Sequence, residues 1–176
     1  MILVKHLLMS SVLLSSSLAG VAWAQGNKPA QPNSNSKSQS KQQIHIFNPE
    51  TMAKPAAGYS QVAEVTGGKL VYIAGQVALD RSGNLVGKDD FQAQARQVFE
   101  NLKSAVEAAG GDFSHVVKLN YYCTASVDNS QMPALREIRD KYVNTVSPPT
   151  STLVFVNRLV RPEFLLEVDA VAAVDK

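Results

Sequence analysis

Residues 61–79 contain three short runs of β-forming residues separated by glycines. The first two runs, 61–65 and 70–74, flank Thr66-Gly67-Gly68-Lys69, and paired glycines accept the positive φ angles of a tight hairpin turn. Two consecutive strands are therefore predicted. Gly75 follows the second run and indicates a bulge or a close approach to the backbone, and a third strand is expected at 77–79.

Two later segments have the spacing of amphipathic helices. The first begins after Asp89 or Asp90, either of which can cap it, and Gly110-Gly111 predicts its end. The second is predicted from Asn129 or Ser130, with Pro133 in its first turn. The positions expected to face the core are Phe91, Ala95, Val98, Leu102, Ala105 and Ala109 in the first helix, and Met132, Leu135, Ile138 and Tyr142 in the second.

Apolar runs at 116–124, 151–156 and 164–173 predict the remaining strands. The order β-β-β-α-β-α-β-β is that of an α+β domain with a mixed sheet and both helices packed on one face. In the last strand, one alternating set is expected to face the helices, yet the other set is also partly apolar. A sheet with two apolar faces needs a second cover, which other copies of the chain can supply, so an oligomer is predicted. The set expected to face the helices is Phe164, Leu166, Val168 and Ala170.

The first 43 residues differ in character from the rest. Lys5 and His6 precede an apolar or small stretch, and Ala22-Trp23-Ala24 places small residues at the two positions that a signal peptidase reads. Residues 1–24 are predicted to be a signal peptide, cleaved near Ala24, that exports the protein to the periplasm or beyond. The stretch is too short and too serine-rich for a membrane span, which needs about 20 apolar residues. Residues 25–43 are predicted to be a disordered polar linker, and residues 44–176 one domain.

The chain has a formal net charge of +2, unevenly distributed. Four of its 17 Lys and Arg residues precede residue 44 whereas all 15 Asp and Glu residues follow it, so the predicted domain carries −2. Such a domain lacks the clustered basic face of a nucleic-acid-binding protein. Cys123 is the only cysteine and lies in an apolar run, which is typical of a buried hydrophobe. With two distant histidines, His45 and His115, neither a disulfide, a metal site nor a cofactor is expected.

Four motifs, in unbroken order between Gly58 and Val174, resemble the RidA (reactive intermediate deaminase), or YjgF-type, family. They are Gly58-Tyr59-Ser60-Gln61, Val71-Tyr72-Ile73-Ala74-Gly75-Gln76-Val77, Gln94-Ala95-Arg96-Gln97-Val98-Phe99-Glu100-Asn101-Leu102 and Leu166-Glu167-Val168-Asp169-Ala170-Val171-Ala172. The resemblance implies a chorismate-mutase-like α+β fold and a homotrimer with a ligand cleft at each subunit interface. It also implies hydrolysis of small enamines or imines to a ketone and ammonia, without a cofactor.

The resemblance assigns roles to particular residues. It places the catalytic carboxyl at Glu167, an aromatic wall contributed by a neighbouring subunit at Tyr59, and the bulged glycine at Gly75. Asn120, Thr150 and Ser151 are further candidates for contact with the substrate, and the side chains of Asn120 and Thr150 could hydrogen-bond a ligand. Each has a structural alternative: Glu167 could pair across strands with Lys118 or Arg158, Tyr59 could be a packing aromatic, and polar residues of a covered sheet often satisfy one another.

One position departs from the family pattern. Thr150 directly precedes Ser151, where the pattern has an arginine that holds the substrate carboxylate. A hydroxyl cannot replace a planar cationic fork, so weak activity on the imines of ordinary amino acids is predicted. Arg136 falls where many relatives have an asparagine near the cleft and could supply the cation, with Arg139 on the same helix face. Both arginines could equally be ordinary exposed residues.

Two other functions stay open. The protein could be a non-catalytic module that binds a small ligand in the same cleft, which Thr150 favours. It could also be an interaction protein that uses the trimer surface. A ribonuclease role is also attached to this family, but the slightly acidic domain, the predicted export and the absence of paired histidines disfavour it.

Overall fold

The computed structural model describes residues 41–56 and 58–175. The predicted signal peptide and the predicted linker up to residue 40 lie outside the described residues. The elements are strands β1 Gln43–Phe47, β2 Val62–Thr66 and β3 Lys69–Gln76, helix α1 Phe91–Ala108, strand β4 Val116–Thr124, helix α2 Met132–Arg139, and strands β5 Thr150–Val156 and β6 Leu166–Val174. Short 3-10 turns at Phe113–His115 and Asn129–Gln131 precede β4 and α2.

The central sheet has four strands in the order β3-β6-β4-β5. Strand β6 is antiparallel to both of its neighbours, whereas β4 and β5 run parallel, so the sheet is mixed as predicted. Helix α1 packs on one face against β3 and β6, and α2 packs beside α1. Within the described residues, no helix has the length and apolar character needed to cross a membrane.

The helix signals in the sequence are confirmed for α1. The Asp90 carboxylate accepts a hydrogen bond of 3.0 Å from the Ala93 N–H, and Gly110 takes a positive φ of 89° just after the helix. The predicted helix-facing residues of β6, Leu166, Val168 and Ala170, are buried in the core with Val98, Phe99 and Leu102 of α1. Cys123 is buried too, and loss of solvation raises the pKa of its thiol to about 11.

The strand predictions before α1 were partly wrong. The turn at 66–69 exists, with Gly67 and Gly68 at φ 72° and 68°, but β2 pairs with β1 and β3 pairs with β6. Strand β1, which was not predicted, begins at the last residue of the predicted linker, and Ile44 and Ile46 give it its apolar character. The third strand expected at 77–79 is absent from the described elements.

The segment at 77–79 shows why a β-like sequence need not form a strand. The Leu79 N–H donates to the Val77 carbonyl at 2.8 Å, which closes a tight turn. The Asn101 side chain on α1 donates to the carbonyls of both Val77 and Leu79 at 2.9 Å. A helix side chain therefore satisfies the carbonyls that a neighbouring strand would otherwise pair.

The second face of the central sheet, which the helices do not cover, carries apolar side chains. Tyr72 is 77% exposed and Leu70 is 50% exposed on β3, and Val154 of β5 is also exposed. Paired residues in a sheet project to the same side, so Tyr72 lies beside Val171, and Val154 lies beside Tyr122, which in turn lies beside Glu167. The prediction of a partly apolar second face is therefore confirmed.

Candidate functional site

Glu167 lies on the uncovered face of the sheet, over the bulge in β3. The β3–β6 register shifts between Ile73 and Gln76, which confirms the bulge predicted at Gly75. The carboxyl carbon of Glu167 is 2.7 Å from the place where a β-carbon on residue 75 would stand, and the Oε1 atom is closer still. Only glycine leaves room for this carboxylate. Among the described residues, no ion pair joins Glu167 to Lys118 or Arg158.

Asn120 is engaged with a neighbouring acid on the same face. Its side-chain amide donates to Asp169 Oδ1 at 2.7 Å, and the Tyr122 hydroxyl donates to Asp169 Oδ2 at 3.1 Å. The bond to the carboxylate raises the pKa of Tyr122, because it favours the protonated phenol. These contacts hold Asn120 beside Asp169, two residues along β6 from Glu167.

A cleft of about 530 Å³ opens between α2 and the edge strand β5. Tyr59, Arg136 and Ser151, three of the residues predicted from the sequence, line it together. Arg139 is also in its wall, so the expectation that the two arginines share a face of α2 is correct. The apolar part of the lining is Met132, Leu135, Leu153 and Phe155.

The two arginines of the cleft have different surroundings. Arg139 is fixed: it donates from Nη1 to the Gly58 carbonyl at 2.7 Å and from Nε to Asp140 Oδ1 at 2.9 Å. Gly58 has a positive φ of 75°, and a β-carbon there would collide with the guanidinium group. Arg136 is exposed one turn earlier and forms no ion pair with any described residue. Asp140 therefore balances the charge of Arg139 and leaves that of Arg136 available.

Tyr121 is a residue of this cleft that the sequence analysis missed. Its side chain is 4% exposed, and its hydroxyl oxygen has no hydrogen-bond partner. Burial raises its pKa, and Arg139 and Asp140 are among the charged groups that act on it. The alternation of β4 predicts that Tyr121 faces inward. It does not predict an unpaired hydroxyl, because pairing depends on the groups that the other elements place around it.

The predicted site residues fall into two groups toward opposite edges of the sheet, with Asn120 on β4 between them. Gly75 and Glu167 belong to the edge strand β3 and its neighbour β6, whereas Thr150 and Ser151 belong to the edge strand β5, with Tyr59 and Arg136 nearby. Two strand spacings, or about 10 Å, separate β6 from β5. Within one copy of the chain, the residues of each group therefore lie close together, but the two groups lie apart from each other.

The family model described as endoribonuclease L-PSP matches residues 50–174. The chain belongs to this family, the RidA/YjgF family. Protein DfrA of Myxococcus xanthus is 36% identical over 119 residues, which cover 68% of this chain and 87% of DfrA. A 2-iminobutanoate/2-iminopropanoate deaminase of Dermatophagoides farinae is 31% identical over 108 residues, covering 61% of this chain and 80% of that enzyme.

Solved structures of RidA-family proteins have the same fold. YyfB, a member of the conserved Rid protein family from Yersinia pestis, is 32% identical with a TM-score of 0.67, over 74% of this chain and 98% of YyfB. RidA from the Antarctic bacterium Psychrobacter is 31% identical with a TM-score of 0.54, over 74% of this chain and 99% of that chain. The predicted α+β architecture, a mixed sheet with two helices, is confirmed.

Thr150 is the residue at which this RidA-family chain departs from the expected pattern. Its hydroxyl donates to the Val117 carbonyl at 2.9 Å, and its backbone bridges to Ser60 beside Tyr59. The hydroxyl is therefore used inside the fold. It offers neither a charge nor a free donor to a ligand.

Proposed function

We propose that this protein is a RidA-type hydrolase that releases ammonia from small imines or enamines in clefts shared by two copies of the chain. The observation that carries the proposal is the Glu167 carboxylate over the bare backbone of Gly75. A carboxylate without a competing cation can accept a proton from water at this place.

The proposed reaction consumes one water for each imine. The water oxygen bonds to the imine carbon while Glu167 accepts a proton from that water. That proton passes to the nitrogen, which gives a carbinolamine. The hydroxyl proton of the carbinolamine then passes to the nitrogen as well, the carbon–nitrogen bond breaks, and ammonia leaves as the carbonyl forms. General acid–base assistance of this kind contributes roughly 10²–10⁴-fold to a rate, so the role of Glu167 is measurable.

A second copy of the chain is part of the proposal because one copy divides the candidate residues between two edges. A neighbour whose β5 edge approached β3 would set its Tyr59, Arg136 and Ser151 against Glu167. The exposed side chains of Leu70, Tyr72 and Val154 supply apolar area for that contact. A closed ring repeats one such head-to-tail contact, and the family resemblance implies three copies, so we propose a homotrimer.

Export belongs to the same proposal. The Ala22-Trp23-Ala24 pattern supports cleavage after Ala24 and a periplasmic or secreted mature protein. Mass spectrometry of the protein from the periplasmic fraction is expected to find Gln25 as its first residue. A soluble cytoplasmic pool that retained Met1 would contradict export.

The test of the hydrolase is direct. Imino acids are generated continuously from amino acids by an oxidase, and the release of ketone and ammonia is followed with and without mature protein. The protein is expected to accelerate both releases in equal amounts, and only weakly for the imino acids of ordinary amino acids, because Thr150 stands in place of the arginine. Release at the spontaneous rate, for every imino acid tried, would remove the proposed activity.

A non-catalytic binding module is the second candidate, and the Thr150 hydroxyl favours it. That hydroxyl is bound to Val117, so the position where the family pattern places a substrate-holding arginine offers nothing to a carboxylate. This candidate predicts saturable binding of small acids without any acceleration of imine hydrolysis.

A ribonuclease receives less support from the described residues. The cleft between α2 and β5 contains two arginines, and Asp140 balances the charge of one of them, Arg139. A binding groove for a nucleic-acid backbone needs several cations in a row, because each neutralised phosphate adds to the affinity.

A further inference from the structure

The cleft between α2 and β5 contains a buried polar group with nothing to bind. The Tyr121 hydroxyl has no partner, although a buried donor of this kind is nearly always paired. The lining of its cleft includes the apolar side chains of Met132, Leu135 and Phe155 together with polar Asn129, Ser151 and Thr152, and none of these forms a hydrogen bond with the hydroxyl. A ligand that brings an oxygen to this position would satisfy the hydroxyl.

The charges of the cleft define the other end of the ligand. The Arg139 guanidinium is held by Asp140 and the Gly58 carbonyl, so it forms part of the wall. Arg136 is exposed and has no acidic partner among the described residues. One available cation matches a ligand with one negative charge, and a guanidinium binds a carboxylate with two parallel hydrogen bonds.

Much of the cleft lining around these two polar groups is apolar, beside the polar side chains of Asn129, Ser151 and Thr152. Leu153 and Phe155 are 41% and 43% exposed on the β5 side, opposite Met132 and Leu135 of α2. Exposed apolar side chains that face each other across a cleft favour an apolar ligand body. The volume of about 530 Å³ exceeds what a two- or three-carbon acid would fill.

We propose that this cleft binds a monocarboxylate whose bulky apolar side chain ends in a hydrogen-bond acceptor. The carboxylate lies against Arg136, the apolar side chain lies between α2 and β5, and the terminal oxygen accepts from Tyr121. The inference rests on the proposed function in one respect: a 2-imino acid of this shape is the substrate class, and the corresponding 2-oxo acid is its product. Arg136 supplies the positive charge for the carboxylate, which Thr150 cannot supply.

The test compares two stable acids that differ by one oxygen, 4-hydroxyphenylpyruvate and phenylpyruvate, by calorimetry with the mature protein. The first is expected to bind about tenfold more tightly, since it alone reaches the Tyr121 hydroxyl. In Tyr121→Phe this difference should fall below about twofold, because the donor is gone. Equal affinities in the wild type, or a difference that survives in Tyr121→Phe, would overturn the inference.

Arg136 has a matched control on α1. Arg136→Gln is expected to weaken both acids about tenfold or more, whereas Arg96→Gln, on an exposed site of the other helix, should leave both unchanged. Unchanged affinities in Arg136→Gln would overturn the carboxylate site. Tyr121→Phe should unfold at no lower temperature than the wild type, since it removes a buried unsatisfied group.

Glu167→Gln separates this inference from the proposed function. In Glu167→Gln, the preference for 4-hydroxyphenylpyruvate over phenylpyruvate is expected to stay about tenfold, because the Tyr121 contact that produces the preference is intact. Tight, Arg136-dependent binding without imine hydrolysis would refute the hydrolase and uphold this site. If the protein hydrolysed imines but its affinity for the acids were unchanged in Arg136→Gln and in Tyr121→Phe, this site would be refuted and the hydrolase upheld.

Discussion

The two edges of the central sheet differ in charge and in what satisfies their polar groups. The β3–β6 edge presents the Glu167 carboxylate over Gly75, on a face with exposed apolar side chains. The cleft at the β5 edge presents Arg136 and the unpaired Tyr121 hydroxyl. Each edge lacks what the other has: one has a proton acceptor without a place for a ligand anion, the other a place for the anion without a base. The proposed function combines the two edges, each from a different copy of the chain.

Loss of the acid at the β3–β6 edge is expected to have the largest effect. Glu167→Gln keeps the shape of the side chain but removes the proton acceptor, so imine hydrolysis should fall about 10²-fold or more. The ketone and ammonia assay measures it, with circular dichroism to verify the fold. If hydrolysis continued at the wild-type rate, Glu167 would not be the base.

Gln94 tests what holds the β3–β6 edge in place. This fully buried side chain donates to the carbonyls of Gly87 and Glu163 and accepts from the Leu165 N–H, just before β6. Gln94→Ala leaves these groups unpaired, so the free energy of unfolding should fall by about 2–3 kcal/mol. Urea denaturation measures it. The control is Gln92→Ala, an exposed position on the same helix, which should cost less than about 0.5 kcal/mol.

Gly75→Ala perturbs the acid without removing it. The new β-carbon would displace the Glu167 carboxylate, which is the flexible end of a side chain, so the fold should persist. Hydrolysis is expected to fall about tenfold, since small misplacements of a catalytic group cost up to about 10²-fold. In a Glu167→Gln background the same change should cause no further loss. A full additional tenfold loss there would show that Gly75 acts by another route.

The smallest effect is expected at the other edge. Thr150→Arg sacrifices a hydrogen bond to Val117 but adds a cationic fork, so hydrolysis of small imino acids such as 2-iminopropanoate should rise a few-fold. The gain is limited because Arg136 would repel a second cation. Thr150→Lys, which adds charge without the fork, should gain less. Equal gains for Arg and Lys would indicate a general effect of charge.

The sequence predicted those elements whose signals are local. Asp90 and Gly110 mark the ends of α1, and the alternation of β6 indicates its buried face correctly. The failures have tertiary causes. The segment at 77–79 has β-forming residues, but its carbonyls accept hydrogen bonds from the Asn101 side chain, which is 22 or more residues away in the sequence. Strand β1 was missed because it follows directly on a polar stretch.

The candidate site was predictable only in part, for a similar reason. The resemblance to the RidA family led to Glu167, Gly75, Tyr59 and Arg136, which lie at the two edges. It could not distinguish Arg136 from Arg139, because that distinction depends on Asp140 and on the approach of the Gly58 carbonyl. It also could not reveal that Tyr121 lacks a partner. Properties of this kind arise from contacts between distant segments.

Mixed oligomers test the central claim most directly. Glu167→Gln and Arg136→Gln, each nearly inactive alone, are co-expressed with different tags, and doubly tagged oligomers are purified and assayed. If each site takes Glu167 from one copy and Arg136 from the next, every doubly tagged trimer has one restored site out of three, so about a third of wild-type activity should return. If each site lay within one copy, none would be restored. Mixed oligomers as inactive as either parent would contradict the account.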